Sequence, residues 1–409
     1  MRDFPSRLRG ASSTLGPRRG AAAADDHTVP TMQIAKVDVI PVEIPLSTPV
    51  RMATHTISRA ANVLVRMEST DGVVGWGEAA EAHNMTGDLQ AGIVAATRLL
   101  ATSYAGADPR RLRALAREAD RAIHANTSAK SALDMAAHDL VARSHDVPLH
   151  DLLAGAVRTR IPALFLVGSG DPDADARRAA DAVAAGYREF KLKVGMADVG
   201  TDAAAAIAVR EAIGPDATFG TDANQSLTVA RAIRFARLTE DAGLAYLEQP
   251  LRGTDPSGMA AIRAATDLPL SVDEGLHSVR QILDYADAGA IDGVALKLIK
   301  TGGVGATVVA LELVELLGLS VNLSGKIAES SIASAALAHM AAVAPSVAWG
   351  FSITNHTLEA DLVHQPLAVT DGDVHVPDGP GLGVDVDEQA VAHYRVADAS
   401  PITAGSRHE

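Results

Sequence analysis

Five stretches of the 409-residue sequence pair ionisable side chains with apolar neighbours in a way a plain surface does not require. They are Lys191-Leu192-Lys193, Asp222-Ala223-Asn224, Glu248-Gln249-Pro250, Asp273-Glu274 and Leu296-Lys297, the last followed by Lys300 and Gly302-Gly303. A lone lysine is usually a solvated surface charge. Here each charge sits at or near the end of a short apolar run, and the runs recur at regular intervals. Burying one such charge alone costs several kcal/mol, so the set requires mutual compensation. Three carboxylates from successive runs achieve it by converging on a hard divalent cation; Mg²⁺ suits all-oxygen ligation, with Mn²⁺ as a substitute. Lysines flanking that ion have their pKa depressed by low dielectric and neighbouring cations, as a lysine base requires. A carboxylate substrate on the ion becomes an electron sink. One lysine removes the α-proton, the metal stabilises the enediolate, and return of a proton from the opposite lysine inverts the centre.

The elements that position these residues follow from periodicity. Eight apolar runs read as strands: Ile161–Val167, Glu189–Val194, Thr218–Ala223, Leu244–Gln249, Leu268–Asp273, Gly293–Ile299, Leu319–Leu323 and Val347–Ile353. Their starts are 24 to 29 residues apart, the length of a strand, a crossover helix and two loops. Eight such units close a (β/α)8 barrel. A doubly wound open sheet would usually carry a glycine fingerprint after its first strand, and none is present. In the second run Lys191 and Lys193 share one face while Phe190, Leu192 and Val194 share the other, so packing the apolar set on helices turns both ammonium groups into the barrel.

Ahead of the barrel, alternation from Gln33 and a hairpin signal at Asp71-Gly72 predict antiparallel strands. Apolar residues at 129, 132, 133, 136, 137, 140 and 141 predict an amphipathic helix capped by Asn126 or Thr127. The fold class is thus α/β, a (β/α)8-type barrel with an N-terminal α+β capping domain. The domain plan is a disordered extension over 1–31, a cap over 32–156, the barrel over 157–366, a C-terminal segment over 367–397 and a disordered tail over 398–409. The extension is polar and Arg/Ala-rich, with the basic, acid-poor start of a transit peptide but no apolar signal core; the reading is a spurious extension ahead of a natural start at Met32.

Composition narrows the function. With no Cys, disulfides, thiolate metal sites and a cysteine nucleophile are excluded. A formal charge of -14 argues against nucleic acid as a partner. No apolar run reaches the roughly 18 residues of a membrane helix, so a cytoplasmic enzyme acting on a small carboxylate is expected.

Taken together, these motifs resemble the enolase superfamily, and more narrowly its muconate lactonizing enzyme subgroup, over residues 32–395; a lysine base working beside Mg²⁺ is a known pattern of that superfamily. The helix text Ala129-Lys130-Ser131-Ala132-Leu133-Asp134 and Leu152-Leu153-Ala154-Gly155 also looks like the family's cap. The resemblance implies metal ligation by Asp222, Glu248 and Asp273, an acid/base pair of Lys193 and Lys297, and Lys191 as the helper that lowers the pKa of Lys193. It favours Lys297 over Lys300, which strand alternation places on the opposite face. It further implies a C-terminal segment returning to the cap and a homo-oligomer. Substrate contacts are expected from Asn224, Ser324, Lys326, Glu329, Phe351 and Asn355, and from His55 and His83 in the cap loops. Strand seven carries no His, against the acid-sugar dehydratase branch. Thr354-Asn355-His356 replaces the aspartate pair of dipeptide epimerases. The implied reaction is racemisation, epimerisation or cycloisomerisation of a small amino-acid-derived carboxylate; the alternative is a lyase resembling cis-3-hydroxyproline dehydratases.

Overall fold

Strand alternation is visible from the first element of the computed structural model, which describes residues 32–51 and 56–396. Val42, Ile44 and Leu46 are buried while Glu43 and Pro45 turn outward. Strand β1 (Ile34–Arg51) pairs antiparallel with β2 (Thr56–Ser69), and β2 with β3 (Val74–Ala80) through the turn at Asp71-Gly72. Helices α1 (Gln90–Tyr104), α2 (Leu112–Ala122), α3 (Thr127–Ser144) and the single turn α4 (Leu149–Leu152) follow. The sequence predicts one buried stripe on α3, but residues 128–142 are buried almost all round, Lys130 excepted. One face packs on β3 and the other meets the helices after the sixth barrel strand, so neither is left to solvent. Asn126 occupies the position before α3 in a left-handed conformation and makes no side-chain cap bond.

The predicted first barrel strand breaks in two. β4 (Arg160–Pro162) leaves the ring, and β5 (Leu164–Val167) enters it. Seven parallel strands continue the ring in chain order: β6 (Glu189–Lys193), β7 (Thr218–Asp222), β8 (Tyr246–Glu248), β9 (Leu270–Val272), β10 (Gly293–Leu296), β11 (Ser320–Ser324) and β12 (Phe351–Ser352). A parallel bridge between Ala163 and Phe351 joins its two ends. The eight parallel strands with their helices, and the antiparallel sheet ahead of them, are the fold class read from the sequence.

The intervening helices are α5 (Pro172–Ala184), α6 (Val199–Ile213), α7 (Val229–Leu238), α8 (Pro256–Arg263), α9 (Val279–Asp287), α10 (Leu298–Thr301), α11 (Val304–Leu316) and α12 (Ser331–Val343). Asp171, Asp198, Thr228, Asp255, Ser278 and Ser330 begin six of them and accept hydrogen bonds from first-turn amides. After the ring, β13 (Val369–Thr370) and β14 (Asp373–His375) form a small antiparallel sheet with β4. Helix α13 (Glu388–Tyr394) then packs on β1, where the Val396 amide donates to the Pro41 carbonyl at 2.9 Å. Among the described residues no helix is long and apolar enough to cross a membrane. The expectations for 1–31, 398–409 and His55 lie outside the described residues.

Candidate active site

The interior of the ring is closed below by aromatic rings rather than by aliphatic layers alone. Tyr246 stacks on Trp349 with centroids 4.6 Å apart, and its hydroxyl donates to the Trp349 carbonyl at 3.1 Å. Gly220 makes room for it, since a Cβ there would lie 2.2 Å from the Tyr246 ring. Directly on this floor sits Lys191, its ammonium 5.7 Å from the Tyr246 centroid.

Period-two geometry on β6 directs the first two lysines inward, with Phe190 and Leu192 fully buried on the helix side. Lys191 donates to both Glu248 oxygens at 3.0 and 2.8 Å and to Asn322 Oδ1 at 2.9 Å. Lys193 donates to Asp222 Oδ2 at 2.6 Å and to Asn224 Oδ1 at 2.8 Å. The third lysine, Lys297, stands where β10 has ended and forms an ion pair with Asp273. Lys193 and Lys297 come from strands four apart in an eight-stranded ring, so they approach the carboxylates from opposed sides.

Lys300 corrects the alternation argument. β10 stops at Leu296 and α10 begins at Leu298, so residues 297 and 300 are related by a helical turn and not by strand parity. The Lys300 ammonium therefore also reaches Asp273, donating to Oδ1 and to its carbonyl at 2.6 Å each. The glycines that follow serve packing against the cap. A Cβ at Gly303 would lie 2.5 Å from the Asp134 carboxylate of α3, which accepts from the Gly305 amide.

Asp222, Glu248 and Asp273 are buried, and each offers a carboxylate oxygen within 4.8 Å of the other two. An all-oxygen, triply anionic set of this size is able to hold a hard divalent cation. Electrostatics sets the three apart. Burial pushes the Glu248 carboxyl up to about 7 against the pull of Lys191. For Asp273, burial is overcome by Lys297 and Lys300, which hold its carboxyl far below the usual range. Burial is likewise overcome at Asp222 by Lys193 and Lys191. Around them, the Gln249 side-chain oxygen accepts from the Asp273 and Gly275 amides at 2.8 and 3.0 Å, fixing the turn that carries Asp273. Asn224 donates to Glu274 at 2.9 Å, and burial lifts the Glu274 carboxyl to about 8.

A cavity of about 530 Å³ opens above this cluster. Asn224, Ser324 and Lys326 line it, as do Ser47, Asn84 and Met85 from the cap, and Phe165, Thr354 and His356 from the barrel end. Of the other predicted contact residues, the four that are described do not line it. Glu329 lies beneath the Lys326 loop, accepting from the Lys326 amide at 3.0 Å. Phe351 is fully buried and its neighbours Ser352 and Ile353 reach the cavity instead. The Asn355 amide group donates to Ser331, Asp361 and the Leu367 carbonyl, and His83 is exposed, 3.9 Å from Glu81. Sequence reasoning missed Asn322, Gln249 and Phe165. Of these, Asn322 was within reach, because strand parity places it on the same face of β11 as Ser324.

Both parts of the chain match known family models. Residues 34–154 match the mandelate racemase/muconate lactonizing enzyme N-terminal domain model, and residues 174–390 match the enolase C-terminal domain-like model. The chain is 30% identical to a chloromuconate cycloisomerase from Pseudomonas putida, over 89% of this chain and 99% of that one. It is 28% identical to an N-succinyl-L-Arg/Lys racemase from Bacillus cereus, over 89% of this chain and 98% of the other. The crystal structure of muconate lactonizing enzyme from Pseudomonas fluorescens complexed with muconolactone superposes with a TM-score of 0.85 at 29% identity, covering 90% of this chain and 100% of that one. The chain belongs to the mandelate racemase/muconate lactonizing enzyme family of the enolase superfamily and, like these relatives, is an enzyme of the isomerase class.

Proposed function

We propose that the protein catalyses Mg²⁺-dependent abstraction of the proton α to the carboxylate of a small, amino-acid-derived substrate, leading to racemisation, epimerisation or cycloisomerisation. The observation that carries this reading is the pair of lysines, Lys193 and Lys297, set on opposed sides of a buried carboxylate triad at the base of a cavity. Asp222, Glu248 and Asp273 would hold the ion; Mn²⁺ is expected to substitute. Bound there, the cation supplies a Lewis acid that polarises the substrate carboxylate and draws the triad's charge away from the two lysines.

The chain's own groups do the rest. Lys193 is aimed by two acceptors, Asp222 and Asn224, and Lys297 by Asp273, so each amine has a fixed approach to one face of the α-carbon. One takes the proton as the amine and the other delivers a proton as the ammonium; the roles exchange for the opposite antipode. Lys191 is held by Glu248 and Asn322 and contributes positive charge beneath the site. The cap residues Ser47, Asn84 and Met85 cover the opening and limit water at the reacting carbon.

Incubation in D₂O with a panel of N-acyl amino acids tests the reading. Solvent deuterium should enter the α-position with the carbon skeleton retained. Lys193→Ala and Lys297→Ala should each abolish interconversion of antipodes, with the fold and Mg²⁺ binding intact. A wild-type rate in either variant removes that lysine from the chemistry. A keto or imino product would instead mark the elimination reaction, and no exchange with any substrate would refute the proposal.

A further inference from the structure

Lys326 differs from every other lysine of the site. Lys191, Lys193, Lys297 and Lys300 each lie within ion-pair distance of a carboxylate. Lys326 is 7% exposed, lines the cavity, and donates to the carbonyl of its own neighbour, Ile327, at 3.0 Å. Among the described residues no carboxylate forms an ion pair with its ammonium. Glu329, the nearest candidate in sequence, directs Oε2 to the Lys326 backbone amide. The Thr354 hydroxyl is committed as well, donating to the Lys326 carbonyl at 2.6 Å and accepting from the Glu329 amide. Glu329 and Glu81 attract the ammonium from beyond ion-pair distance, but burial outweighs them, and an arriving anion would offset the desolvation cost that remains. Burial pushes the Lys326 ammonium down to about 8, so it stays mostly protonated at neutral pH.

The rest of the cavity wall points the same way. Its acids are Asp222, Glu248, Asp273 and Glu274, all gathered at the triad end. No acid lines the remainder, so a substrate ammonium would find no carboxylate there, whereas Arg178, 5.9 Å from the Phe165 centroid, adds a second positive charge at the rim.

We infer that Lys326 is a specificity-determining residue that binds a second carboxylate of the substrate, so that the protein selects a dianionic compound whose distal carboxylate reaches past the triad to the end of β11. A free amino acid or a dipeptide carrying an exposed ammonium is thereby disfavoured. The inference rests on the proposed chemistry only in seating the reacting carboxylate at the triad.

Binding of simple carboxylates tests it without knowledge of the natural substrate. Succinate, glutarate, adipate and pimelate are titrated calorimetrically into the Mg²⁺-loaded protein at pH 7, each against the monocarboxylate of equal length, butyrate to heptanoate. At least one dicarboxylate should bind tenfold or more tightly than its partner. Lys326→Met should reduce that preference to within twofold while leaving monocarboxylate affinity unchanged. Because it removes a buried charge lacking an ion pair, it should also raise the Tm. Asp222→Asn should weaken both series in parallel; if it weakens neither, the triad is not the seat of the first carboxylate, a failure distinct from that of Lys326. The inference is overturned if the wild-type protein shows no dicarboxylate preference, if neither series binds, if the preference survives Lys326→Met, or if Arg178→Gln removes it instead.

Discussion

Removal of the Glu78 carboxylate should loosen the first turn of α12, and with it the loop that carries Lys326. Glu78 lies on β3 of the capping sheet, is fully buried, and crosses 252 residues of sequence to reach the start of α12. It accepts from the Ser330 amide at 3.0 and 3.2 Å, from the Ser330 hydroxyl at 2.6 Å and from the Ala333 amide at 3.1 Å. Asn62 donates to it at 2.6 Å and keeps a second acceptor, the Ala328 carbonyl. Glu78→Ala thus strands two buried backbone donors, while the Ser330 hydroxyl and Asn62 can find or retain partners. At roughly 1–3 kcal/mol for each stranded donor, the cost is about 4 kcal/mol. Part is returned, because burial raises the Glu78 pKa and deletion removes that desolvation. Since 1.4 kcal/mol is a factor of ten, amide exchange over residues 328–335, followed by mass spectrometry, should accelerate by up to about 700-fold, less the part returned. Glu78→Gln retains one accepting oxygen and should lose less than half as much. Exchange within fivefold of wild type in Glu78→Ala would refute the view that this carboxylate anchors α12 to the cap.

Two further outcomes are expected. Asp222→Asn should lower Mg²⁺ affinity at least tenfold by calorimetry, and an unchanged isotherm would remove Asp222 from the ligand set. Buried His339, whose Nδ1 lies 2.9 Å from that of His150, should make the fold acid-sensitive. His339 Nε2 faces the Leu382 carbonyl at 3.2 Å and so carries the proton, and burial drives the ring pKa down to about 4. Its folded pKa lies below the unfolded value of about 6.5. The unfolded chain therefore binds the extra proton first, and the contribution, complete above about pH 6.5, is lost as pH falls toward 4. The gap between the two values corresponds to about 3 kcal/mol. Chemical denaturation of wild type and His339→Gln across that window should show the loss in wild type alone; parallel pH profiles would contradict it.

Local sequence determined what depends on one strand or one turn at a time. The parity of Lys191 and Lys193 against Phe190, Leu192 and Val194 fixes which side chains enter the ring, because a pleated strand alternates wherever it sits. The regular spacing of apolar runs fixes eight strand–helix units, and the Asp, Ser and Thr residues ahead of the helices fix where most of them begin.

What tertiary structure decided are relations between segments far apart. The break at Ala163 exists because β4 is claimed by β14, some two hundred residues later. The second buried face of α3 exists because barrel helices arrive behind it. Lys300 turns to Asp273 because β10 stops at Leu296, and Lys326 is left without an ion pair because Glu329 is bound to backbone. Periodicity reports which way a side chain points relative to its own backbone; which partner it then meets is set by where another stretch of chain crosses, and no local pattern encodes that.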